Sequence, residues 1–217
     1  DLLKKALAKA RAENNGGLNL DMWGTLVDRS GVVCAVVFTG ATNDSQWPGS
    51  RVISAQKANT ANAFSLAASA LSTANLYAGT QPGGFLYGLG ASNPVNTTVA
   101  YSGKAEQFGT TKDPLIGQRM GGVNTFGGGL ALYNAKGQIL GGLGVSGDTS
   151  CADHNIAWRT RNNLKLDFVP GGVHSDKTDN IIYDIGFNGK SRSGFGHPKC
   201  IDKELDLSKK LPAVSKK

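Results

Sequence analysis

The amino-acid sequence predicts an α+β fold, and three observations carry the prediction. Two pairs of short, apolar, strand-like runs are each closed by a tight turn, residues 22–28 with 31–38 and residues 129–133 with 138–145. Stretches of helical periodicity stand before, between and after these pairs. The strands do not alternate singly with helices, so right-handed crossovers are not expected. Hairpins with helices packed on them imply a largely antiparallel sheet.

Along the chain, Leu2, Leu3, Ala6, Leu7 and Ala10 recur at helical spacing among lysines, and Asn14-Asn15-Gly16-Gly17 ends that helix. The first hairpin follows, turning at Arg29-Ser30, and residues 39–49, with Asn43, Asp44, Pro48 and Gly49, form a loop. Residues 51–76 are rich in alanine and hold no proline or glycine, which predicts one long helix or two joined ones. Residues 75–113 read as irregular, and a connection that long within a compact domain is usually functional or an insertion. The second hairpin turns at Asn134-Ala135-Lys136-Gly137. The polar run from Ser146 to Ser150 then offers N-caps to a helix over residues 151–164. A last strand is expected over 180–185, followed by a glycine- and serine-rich run to Cys200. Residues 201–217 alternate charge and end in Lys216-Lys217, which predicts an exposed, frayed tail.

The 217 residues, 40% of them hydrophobic, suffice for a single domain with extensions. A formal charge of +7 favours anionic partners. The basic residues are nevertheless spread along the chain and not interleaved with aromatics, so no nucleic-acid partner is expected. No apolar run reaches the ~18 residues of a membrane span, so none is expected. A start at Asp1 without Met or a charged-then-apolar leader fits a mature secreted chain and a trimmed one equally. The 30 glycines sit largely beside apolar strands, as in Gly127-Gly128-Gly129, and predict close backbone approach rather than disorder. There is no Ser-His-Asp order, no phosphate-cradling glycine loop and no recognisable pair of acids, so an enzyme ranks behind a binding protein.

Two motifs stand out. Ser150-Cys151-Ala152-Asp153-His154 is nearly mirrored by Gly196-His197-Pro198-Lys199-Cys200. Cys34, inside the apolar run 32–37, reads as a small buried hydrophobe. That leaves Cys151 and Cys200 for a disulfide, worth about 3 to 4 kcal/mol in the loop-entropy picture and at home in an oxidising compartment. The plainest version of this reading leaves His154 and His197 at the surface. The same four side chains also make a Cys2His2 zinc set, which needs both cysteines as thiolates and so excludes the bridge. Both readings stand at the level of sequence. No Cys-x-x-Cys-His occurs, which argues against covalent c-type haem.

The order of the leading helix, Leu26-Val27-Asp28-Arg29-Ser30-Gly31, Ala55-Gln56-Lys57-Ala58-Asn59-Thr60-Ala61, Gly127-Gly128-Gly129-Leu130-Ala131-Leu132-Tyr133 and Leu140-Gly141-Gly142-Leu143-Gly144-Val145-Ser146-Gly147 resembles the GlcG and HbpS type, a haem-binding or haem-degrading family. The resemblance covers roughly residues 2–164. It implies an antiparallel sheet of about five strands with helices on both faces, in profilin-like layering, and association into symmetric oligomers. It also implies haem binding in some members and a periplasmic or secreted place for several. Against a minimal member, the chain carries an insertion over about 77–120 and an extension over 165–217.

On this resemblance the candidate haem ligands are His154, His197 and Met120, with His174 ranked lower, and Arg119 stands beside Met120 for a propionate. His154 and His197 rank first because one disulfide would hold both. Lys57 either faces the sheet or a ligand, or closes a surface turn. Phe85, Tyr87 and Tyr101 would stack on a porphyrin or, with more ordinary chemistry, pack in a core or interface. Three functions follow in order: a protein outside the cytoplasm that holds haem noncovalently for storage, transfer or electron transfer; a cofactor-free oligomeric module within a larger assembly; and a haem-degrading enzyme.

Overall fold

A computed structural model describes residues 1–216. Its helices of more than one turn are α1 (Leu2–Arg11), α2 (Ser50–Ala63), α3 (Ser150–Asn163) and α4 (Asp202–Ser208). Its strands are β1 (Trp23–Asp28), β2 (Val33–Phe38), β3 (Gly129–Tyr133) and β4 (Ile139–Ser146). They form one antiparallel sheet in the order β2-β1-β4-β3. The α+β class therefore holds, with four strands in place of about five. The missing one is the run 180–185, whose backbone is satisfied piecemeal: Asn180 O accepts from the Asn75 side chain, and Ile182 O from the His197 N–H.

The two faces of the sheet are built by period-two alternation. Trp23 and Val27 pack with Val52, Ala55 and Ala58 of α2. On the other face Leu26, Val37, Leu130, Leu132, Leu143 and Val145 pack with Leu3, Leu7 and Ala10 of α1 and Ile156 and Trp158 of α3. Glycine sets how closely α2 approaches. On β4 the residues facing α2 are Gly142 and Gly144, and a Cβ on either would fall on an α2 carbonyl, Ala58 or Ser54.

Four expectations are corrected. The helix over 51–76 stops at Ala63, where one local side chain and one distant one take up the backbone that follows. Ser65 Oγ takes the Leu71 N–H at 3.0 Å, and Tyr133 Oη donates to the Leu66 carbonyl at 2.7 Å. Cys34 is exposed. β1 pairs Leu26 with Ala35 and Val27 with Val33, so Cys34 is the extra residue of a bulge on an edge strand. The tail is docked. Glu204 of α4 is buried and accepts from Thr149 Oγ1 at the start of α3, while Leu211 and Val214 pack on the core; Lys217 lies outside the described residues. Phe85, Tyr87 and Tyr101 are each exposed by about two thirds, so they are not core. The connection 75–113 is irregular as expected, a series of single helical turns. No described helix is long and apolar enough to cross a membrane.

Candidate functional site

The two mirrored motifs meet at the end of the sheet where β4 leads into α3. Thr149 caps that helix, its Oγ1 accepting from the Ala152 N–H at 3.2 Å. The cap fixes Cys151, Asp153 and His154 in the first turns. Cys151 and Cys200 are bridged, with Cα atoms 6.1 Å apart across 49 residues. The donor atoms of Cys151, Cys200 and His197 lie within 4.8 Å of one another, but the bridge takes both sulfurs as ligands out of play. His154 is not part of that cluster.

Neither histidine is at the surface. His197 is fully buried: its Nδ1 donates to the Pro198 carbonyl at 2.7 Å, its Nε2 accepts from the Gly127 N–H at 3.3 Å, and Tyr77 stands 5.2 Å away ring to ring. Burial depresses its pKa to about 4. His154, also fully buried, places Nε2 3.2 Å from Asn180 Oδ1, while its Nδ1 has no partner among the described residues. Burial depresses this pKa further, to about 3, against the pull of Asp179.

Lys57 faces inward. It reaches from α2 past the sheet end to Asp153 of α3, Nζ to Oδ2 at 2.7 Å, and donates also to the Val145 carbonyl at 3.2 Å. The Asp153 Oδ1 accepts from the Asp148 N–H at 2.9 Å, and both side chains of the pair are 2% exposed. Burial raises the Asp153 pKa to about 6 although Lys57 opposes the rise. The chain passes this pair at Gly128, whose φ of +118° and whose room, 3.0 Å from a notional Cβ to Lys57 Nζ, both require glycine. Met120 is buried in the core on the α2 face, and Arg119 is turned to the Ser30 carbonyl at 2.9 Å. Apart from His154, buried on its own beside Asn180, these residues singled out from the sequence divide in three. Cys151, Cys200 and His197 come together, Lys57 finds a carboxylate, and Met120 and Arg119 stand apart from both.

Sequence reasoning missed the carboxylates. Asp153 lies inside the quoted motif and was not singled out. Arg161 of α3 pairs bidentately with Asp179 at 2.7 and 2.8 Å, and Arg51 of α2 with Asp113, all four side chains buried. Each pair ties an addition, the insertion or the extension, to a helix on the sheet.

The lower-ranked His174 lies elsewhere, on a cleft of ≈ 390 Å³ between Trp158 of α3 and the docked tail. Its Nδ1 stands 2.7 Å from Asp176 Oδ1. Partial burial pushes the Asp176 pKa up, but bonds from Thr178 and His174 outweigh it and leave a net lowering.

As a test of fit for an iron porphyrin, the three histidines differ. His154 and His197 are sealed among protein groups, whereas His174 sits partly exposed on a turn, its Nδ1 accepting from the Asp176 N–H at 3.4 Å. The cleft at His174 does not fit such a group: Trp158 is 4% exposed with the Arg161 guanidinium over its ring, and Leu211 and Val214 pack on the core.

Fold and site together define an α+β protein whose single antiparallel sheet is covered by helices on both faces and closed at one end by a buried ion pair and a disulfide. Residues 1–161 match the family described as haem degrading protein HbpS-like, and the chain belongs to it. Two solved structures are similar. One, described as a PduOC:heme complex, is 25% identical, with 76% of this chain and 91% of that chain covered and a TM-score of 0.52. The other, Klebsiella pneumoniae protein ORFY of the DUF336 family, is 24% identical, with 76% and 89% covered and a TM-score of 0.50, and shows the fold alone. No curated protein matches the chain.

Proposed function

We propose that this protein binds haem noncovalently. The observation that carries the reading is the family match over residues 1–161, and the likeness to a chain solved as a haem complex supports it. Its place is periplasmic or secreted, in keeping with the Cys151–Cys200 bridge, since such bridges persist in oxidising compartments. There it stores haem, passes it on or transfers electrons, and the exposed Phe85, Tyr87 and Tyr101 suit contacts in an oligomer or larger assembly. The test is the visible spectrum of the purified full chain during titration with ferric haem, oxidised and then reduced. A Soret band that grows to one equivalent, with sharp α and β bands on reduction, is the expected result; a spectrum that stays that of free haem refutes it. The family's description favours a second reading, oxidative breakdown. Conversion of bound haem to a linear tetrapyrrole, given dioxygen and a reductant, would place turnover ahead of storage.

A further inference from the structure

We propose that the protein docks peripherally on an anionic phospholipid surface through the loop at residues 185–192, with Phe187 as the inserted tip, Phe85 beside it, and Lys190 and Arg192 on the headgroups. The inference goes beyond the haem-binding reading and does not depend on it. The loop lies outside residues 1–161, those matched to the family, so it belongs to this chain's own extension.

The loop presents its ring on a closed turn. Ile185 and Ser191 form an antiparallel bridge, the Gly186 N–H donates to the Lys190 carbonyl at 3.0 Å, and the Gly189 N–H donates to the Gly186 carbonyl at 2.9 Å. Phe187 is held at the tip of this turn with its side chain wholly in solvent. Phe85, 68% exposed, meets the same loop from the insertion. Its ring stands 6.0 Å from that of Phe195, edge on, and it shares with Ile185, Lys190 and Gly194 the lining of a hollow of ≈ 510 Å³. A second hollow is lined by Phe187, Lys190 and Arg192, which puts the projecting ring and two cations on one face. Because the turn is already closed, docking orders little that is not ordered beforehand.

The charge around these rings has one sign. Residues 77–103 carry no charged side chain, and residues 185–200 carry Lys190, Arg192 and Lys199 with no acid. Asp184, where the loop begins, is engaged by the Ser191 hydroxyl at 2.7 Å and the Ser193 N–H at 2.6 Å. The occupant must therefore be anionic at its surface and apolar just beneath it. A second copy fails the first condition, because a two-fold contact at this loop would set Lys190 and Arg192 against themselves. An acidic protein would need a preformed socket for a ring that projects from a tight turn. A bilayer needs no matching shape, since it takes the ring at the acyl boundary and the cations among the lipid phosphates.

The test is co-sedimentation of the full chain, without haem, with vesicles of phosphatidylcholine containing one quarter phosphatidylglycerol, and with vesicles of phosphatidylcholine alone. Binding to the anionic vesicles that salt weakens, and none to the neutral ones, is the expected result. Phe187→Ser should weaken it about tenfold. Lys190→Gln with Arg192→Gln should weaken it about 30-fold, at about fivefold for each cation. The charge-matched control on α1, Lys4→Gln with Lys9→Gln, should change it little. All five side chains are exposed, so the variants keep the fold. If both charge pairs weaken binding alike and Phe187→Ser does not, the chain adsorbs by net charge and the docking face is overturned. A wild type that ignores the anionic vesicles overturns the proposal outright. Retention on immobilised polyglutamate through Phe187 would then assign the surface to an acidic protein, and self-association through Phe187 to a second copy. The haem titration is decided separately from all of these results.

Discussion

The Lys57–Asp153 pair is the residue-scale device on which the sheet end depends. An ammonium and a carboxylate, each 2% exposed, gain little net stability by being paired, because desolvation offsets their attraction. Breaking the pair is a different matter, since it leaves a buried charge alone. Lys57→Met is expected to lower stability by about 3 to 5 kcal/mol in urea unfolding. The second substitution, Asp153→Asn, removes the orphaned charge and keeps an acceptor for the Asp148 N–H, so the double variant should recover part of the loss. A Lys57→Met cost below about 1 kcal/mol would show that water reaches Asp153 and that the pair does not seal this end. In the sequence Lys57 carried two readings, surface or interior. Its carboxylate partner sits 96 residues away, a separation at which charge pattern along a helix says nothing.

At the scale of elements, α2 and β4 touch backbone to backbone because one face of β4 is glycine. Gly144→Ala would drive a methyl group into the Ser54 carbonyl, and the expected cost is at least 1 to 3 kcal/mol, as for overpacking elsewhere. Gly90→Ala is the control: nothing lies within 4 Å of its Cβ position, so it should be neutral or slightly stabilising. Equal effects of the two on the thermal midpoint would refute the close-contact account. This contact also marks what was legible. Both hairpins, α1 and α3 followed from periodicity and turn residues, since their own sequences carry the pattern of the faces they bury. The glycine run beside the strands was legible as close approach. The end of α2, the docking of the tail and the loss of a strand at 180–185 were not, because each is decided by a distant partner: Tyr133 for Leu66, Thr149 for Glu204, Asn75 for Asn180. For the site, residue types were legible and the Cys151–Cys200 bridge stood as one of two readings beside zinc, whereas the cleft at His174 exists only once the tail has found its place. Cys34 failed because a bulge breaks the alternation that its apolar neighbours suggest.

For the whole molecule the buried titratable groups set a direction with pH. His154 and His197 fall from 6.5 to about 3 and about 4 in the folded state, both chiefly through burial. A depressed pKa contributes stability that is fully present above the unfolded value and is lost as pH falls from 6.5 toward the folded value. Asp153 runs the other way: raised from 3.8 to about 6, it favours the fold below 3.8 and loses that contribution as pH rises through 6. Two histidines therefore oppose one carboxylate between pH 6.5 and 4. At about 1.4 kcal/mol for each unit of pH across which the states differ by one proton, the net is a loss on the order of 4 kcal/mol. The buried Arg51–Asp113 and Arg161–Asp179 pairs, and the bridge across 49 residues, tie the additions to the core. Acid should thus weaken the molecule as one cooperative unit. Urea midpoints measured from pH 7 to 4 are expected to fall steadily, and His197→Gln, which cannot take up the proton, should remove most of the fall, because the remaining histidine is then nearly offset by Asp153. Midpoints that hold level or rise on acidification would mean that both imidazoles find water or a carboxylate in solution and that the sheet end is open.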